Sequence, residues 1–134
     1  MILPRTHQLL ILHTSLVSFI SATYAYINGL YFYSLVPASV GISSIIYWVY
    51  PDYSWRRYFD MAVVQIGLWY QIITAWNITN ATYYYIIKAI SITSFLIGIY
   101  FYKQGNYNLS TGFHCGLHII ANIANIILYR QMST

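Results

Sequence analysis

His114, His118, Asn122 and Asn125 follow one another at helical intervals. At about 100° per residue they fall within an arc of about 80°. Imidazoles at i and i+4 can ligate one metal ion from a single helix face. The amides one and two turns further on can hydrogen-bond a neighbouring helix. The rest of residues 112–129 is mostly Ile, Leu and Ala. A polar stripe on such a helix must face protein, water or a metal, because bare hydrocarbon leaves its groups unpaired.

What lies opposite the stripe depends on the class of protein. Of the 134 residues, 59% are hydrophobic and 6% are charged, against roughly 25% charge in soluble domains. That composition cannot build a charged, water-facing surface, so the expected fold class is all-α, a polytopic transmembrane helical bundle. The basic residues mostly flank apolar runs, which marks them as topology signals and argues against a nucleic-acid partner. Many of the sixteen tyrosines cluster near run ends, where an apolar ring with a polar tip suits the membrane interface. The single Cys115 excludes an internal disulfide. Abundant Ile, Tyr and Asn suggest an AT-rich coding genome, as in organelles and large DNA viruses.

Five apolar runs can supply the bundle, as one domain over 1–134: residues 8–28, 30–50, 58–76, 81–102 and 112–129. The first follows Arg5 and reads as a retained helix because no clean cleavage site follows it. Asn28-Gly29 is a minimal turn, and Pro37 is expected to kink the second run. Ser34, Ala38 and Gly41 give that run a small-residue face for packing against the first. The loop at 51–57 lies at the membrane surface. Asn77 and Asn80 open two overlapping sequons in a turn too close to the bilayer for easy glycosylation. Lys88 is expected to snorkel to the near surface, and residues 103–111 to form a polar loop. Counting basic residues places the N-terminus inside and the C-terminus outside.

That topology gathers distant residues. The end of the second helix, the start of the third and the start of the fifth share one side. Ser43, Ser44, Tyr47, Trp48, Asp60, His114 and His118 are therefore expected in one layer, with His13 at a similar depth. A carboxylate and a serine beside two imidazoles can orient water or fix a histidine tautomer. Each also has a structural explanation: interhelical hydrogen bonds for the histidines, i,i+4 pairing with Arg56 for Asp60, and close packing for the serines.

Ser44-x-x-x-Trp48, Asp60 and His114-x-x-x-His118 resemble the motif set shared by alkaline ceramidases, adiponectin/progestin receptors and haemolysin III-like proteins. Their pattern is Ser-x-x-x-His, Asp, then His-x-x-x-His, on seven membrane helices. The resemblance implies zinc held by histidines, with Ser44 and Asp60 assisting a zinc-bound water that hydrolyses a lipid amide. Here Trp48 stands where the first zinc histidine belongs, and five spans replace seven. His13 is the best substitute ligand beside His114 and His118; Cys115 points about 100° away from His114.

Two functions follow. The first is a non-catalytic structural or accessory subunit of a larger membrane-associated assembly, in an organelle or a large virus, touching membrane lipid and other subunits and needing no cofactor. The second is an intramembrane zinc hydrolase using Ser44, Asp60, His114, His118 and His13. A channel is a third class, weaker because the ionisable groups gather on one side of the bilayer.

Overall fold

A computed structural model describes residues 3–78 and 81–133. Among the described residues there are six helices and no strand: α1 (Arg5–Ser15), α2 (Val17–Ile27), α3 (Tyr31–Trp48), α4 (Trp55–Trp76), α5 (Thr82–Lys103) and α6 (Tyr107–Met132). Three stretches, Arg5–Ile27, Thr82–Lys103 and Tyr107–Met132, are long and apolar enough to cross a membrane.

The first expected helix is interrupted at Leu16, which separates α1 from α2. The cause is local. Thr14 Oγ1 and Ser15 Oγ donate to the Ile11 and Leu12 carbonyls at 3.0 and 2.6 Å, and such back-bonding bends helices. Two corrections apply at later boundaries. The last helix begins five residues earlier than expected, so the loop shrinks to residues 104–106. Gly105, at φ 78°, closes α5: its N–H reaches the Tyr102 carbonyl and Asn106 N–H reaches the Phe101 carbonyl, at 3.0 and 2.9 Å. This paired motif satisfies two end carbonyls of the helix. Asn106 Oδ1 then accepts from Leu109 N–H and caps α6. The α2–α3 turn repeats the device at Gly29. The third helix starts at Trp55, capped by Ser54, which puts Asp60 in its second turn. At the next turn Asn77 ends α4, while Thr79 and Asn80, on which both sequons depend, lie outside the described residues.

The bundle is polar within and apolar without. Ser15, Ser18, Ser21, Ser43, Ser44, Gln71, Lys88, Ser91, His114, His118, Asn122 and Asn125 are buried, while Ile20, Ile27, Phe32, Leu35, Ile66, Ile73 and Trp76 are exposed. That inversion is what a lipid surround permits, since exposed apolar side chains need no cover there and polar groups must find partners inside.

α5 and α6 form the most closely packed hairpin. A Cβ on Gly98 would meet the Ser110 carbonyl at 3.2 Å, and Ser94 Oγ donates to the Phe113 carbonyl at 2.7 Å. α2 and α3 form the second hairpin, where Gly41 lies under the Phe19 ring. α4 rests on α3, with Gly67 against Val36. It makes little close backbone contact with α5 or α6; side chains near its C-terminal end tie it to both. Pro37 within α3 has no N–H for the Tyr33 carbonyl, and the Tyr129 hydroxyl lies 3.4 Å from that oxygen.

Candidate functional site: a polar-lined cavity between the helices

Because α4 leans on α3 and away from α5, a cavity of about 620 Å³ opens between these helices and α6. Most of its wall is apolar, from residues such as Val40, Val64, Leu68, Ile92, Phe95 and Leu117. Its polar lining includes Ser44, Asp60, Gln71, Lys88, His114, His118, Asn122 and Asn125.

At one end, Ser43 and Ser44 from α3 donate to the same oxygen of Asp60 from α4, at 2.8 and 3.3 Å. Asp60 thus bonds across to α3. Arg56 does not pair with it: the guanidinium bonds Asp52 at 3.0 Å and the Ile46 and Tyr50 carbonyls. The fork of Arg56 therefore closes the end of α3 onto the start of α4.

His114 and His118 lie on the same wall, with ring centroids 5.1 Å apart. Both are about nine-tenths buried, and His114 Nδ1 and His118 Nε2 have no hydrogen-bond partner among the described residues. Trp48 stands edge-on to His114, centroids 5.3 Å apart at 88°, and Phe95 does the same at 5.8 Å. His114 is thus flanked by two aromatic rings.

Deeper along α6 the stripe becomes a hydrogen-bonded chain. Asn122 Oδ1 accepts from Ser21 Oγ at 2.6 Å, and Asn122 Nδ2 donates to the His118 carbonyl at 2.7 Å. Asn125 Oδ1 accepts from Lys88 Nζ at 2.8 Å. Beyond it, Gln71 Nε2 donates to the Tyr129 hydroxyl at 2.6 Å.

The structure therefore brings Ser44, Asp60, His114 and His118 to one cavity and leaves His13 out. His13 is exposed on α1, with Nδ1 on the Leu9 carbonyl at 2.6 Å. The inward face of α1 is marked by Ile11 and Ser15, and His13 lies about 200° around the helix from each. Cys115 is half-buried beside the cluster of Leu3, Ile11, Tyr47 and Trp48. Among the described residues no three His, Cys, Asp or Glu side chains gather closely enough to share an ion. The residues present do not fit a three-histidine zinc site, since the side chain packed against His114 is the Trp48 indole, which cannot ligate.

Lys88, like His13, lies elsewhere than its sequence suggests. It does not snorkel to the surface; it is 7% exposed and turned into the bundle, with the Tyr84 ring 5.4 Å from Nζ. The available signal was its register: Tyr84 and Ser91 lie within about 60° of it, and both are buried against α6. Comparison of the chain with protein-family models, curated proteins and solved structures gave no match.

Proposed function

We propose that the chain is a multi-pass integral membrane protein of five spans, N-terminus inside, that serves as a non-catalytic accessory subunit of a larger membrane-associated assembly. In this reading α1 and α2 cross together, and α3, with 18 residues, rises about 27 Å, close to the thickness of the hydrocarbon core. The single observation carrying the non-catalytic part is the edge-on packing of Trp48 against His114. An indole cannot ligate zinc. The AT-rich character of the composition favours an organellar membrane or the membrane of a large virus.

Metal analysis of the purified protein tests this. The expected result is no stoichiometric zinc, unchanged in a His114→Ala/His118→Ala variant; one zinc per chain, lost in that variant, would overturn it. Mild-detergent purification tests the assembly, with defined stoichiometric partners expected and an isolated chain the contrary outcome.

A second reading, an intramembrane zinc hydrolase of lipid amides, draws on Asp60 held by two serines in the same cavity as two histidines with unpartnered nitrogens. Zinc-dependent release of fatty acid from a ceramide substrate, abolished in Asp60→Ala, would establish it.

A further inference from the structure

Among the described residues Lys88 has no acidic partner. The chain contains two acidic side chains, Asp52 and Asp60. The first is paired with Arg56, and the second accepts from Ser43 and Ser44 at the other end of the cavity. Lys88 Nζ has only neutral acceptors, Asn125 Oδ1 at 2.8 Å and the Ala121 carbonyl at 3.4 Å. An ammonium carries three donors; besides these two oxygens its neighbour is the Tyr84 ring, 5.4 Å from Nζ, and neither oxygen nor the ring carries a formal charge. A buried cation is normally paired, because its desolvation is offset only by a nearby opposite charge. Lys88 also lines the cavity, whose volume of about 620 Å³ falls inside the range of roughly 300–1,000 Å³ typical of small-molecule sites.

The shape of the space narrows the missing group. Lys88 and Lys103 both line the cavity and stand fifteen residues apart on α5, about 22 Å along the axis. Between them the wall is Ile92, Phe95 and Ile99, faced by Val40, Val64 and Leu68. The wall of this stretch is mostly apolar, and Lys88 is the buried cation on it.

We infer that this cavity binds a single-chain anionic amphiphile, its compact anionic head on Lys88 and Asn125 and its chain along the apolar wall. A compact carboxylate head is the group proposed, since Lys88, Asn125 and Gln71 are all buried there. The head contacts lie on Lys88 and Asn125, while the chain runs past Phe95, which flanks His114 in the same cavity.

Binding of hexadecanoate to the purified full-length protein in neutral detergent, set against hexadecanol of equal chain length, tests the inference. One hexadecanoate per chain is expected, with the alcohol weaker by about tenfold to a hundredfold, the range for losing a charge-assisted hydrogen bond. Lys88→Met should lower hexadecanoate affinity by a similar factor and leave hexadecanol unchanged, while Lys88→Arg retains most of the binding. Equal affinity for acid and alcohol in the native protein would overturn the inference without recourse to any variant. So would tighter binding of a diacyl phosphatidate than of hexadecanoate, or unchanged hexadecanoate binding in a folded Lys88→Met protein.

Discussion

The Trp48 indole meets the His114 imidazole edge-on, 5.3 Å between centroids, so a histidine at 48 would lie close to His114 and His118. Trp48→His is therefore expected to create zinc affinity, because it would set a third imidazole beside His114 and His118. Metal analysis of that variant beside the native protein checks it; stoichiometric zinc in the variant alone is the expected result. The same exchange removes a buried ring and should lower thermal stability, since a truncated aromatic leaves a cavity costing a few kcal/mol.

Asp60 is the shared acceptor for Ser43 and Ser44 and so joins α4 to α3 near the cavity. Asp60→Ala should destabilise the bundle by about 1–3 kcal/mol, the range for orphaning partly buried hydroxyls. Asp60→Asn keeps a carbonyl acceptor and should lose less. Ser43 also donates to the Val40 carbonyl at 3.1 Å, which gives it a fallback, so Ser44→Ala should be milder than Asp60→Ala. Thermal unfolding of the three variants in one detergent gives the ranking, and equal midpoints for Asp60→Ala and the native protein would exclude the bond as a tether.

The helical, apolar character of the chain was legible because 6% charge leaves no other class open. The His–Asn stripe was legible because its period is that of a helix, and the meeting of Ser44 with Asp60 followed from chain direction alone. Lys88 was not legible in the same way. A lysine two turns inside a helix can reach out along its stem or turn inward, and the choice depends on Asn125 and the Ala121 carbonyl on another helix. His13 was misplaced because depth was considered without rotation about the helix: it shares the level of Ile11 and Ser15 but faces the opposite side. Arg56 likewise had carboxylates at both i−4 and i+4, and the serines of α3 decided which one it kept.

The loop before α4 carries a pH dependence of definite sign. Hydrogen bonds from the Ser54 hydroxyl and N–H hold the Asp52 carboxyl below the usual carboxylate range, and Arg56 adds to the effect. A folded value lower than the unfolded one contributes stability that is present above the unfolded value and lost as pH falls through the folded value. Asp52→Asn should therefore be less stable than the native protein near neutrality, with the gap closing in acid below the ordinary carboxylate range. The effect is small, because the group is fully exposed and screened. Thermal midpoints of the pair across that pH interval read it directly, and a gap that widened on acidification would reverse the assignment.

Gly29 and Gly105 hold φ of 77° and 78° with open space where a Cβ would stand. An alanine at either position clashes with nothing external, and its cost is the left-handed backbone alone, about 1–2 kcal/mol. Gly112, inside α6, also has open space around its Cβ position, but its conformation is helical. Gly112→Ala should therefore stabilise by roughly 0.5–1 kcal/mol through helix propensity. Gly41→Ala differs from all three, since its Cβ would lie 2.8 Å from the tip of the Phe19 ring, which would have to shift. The expected order of thermal midpoints is Gly112→Ala above the native protein, with Gly29→Ala and Gly105→Ala below it and Gly41→Ala also below. A destabilised Gly112→Ala would mean that this face of α6 is covered in the assembled protein by something other than lipid.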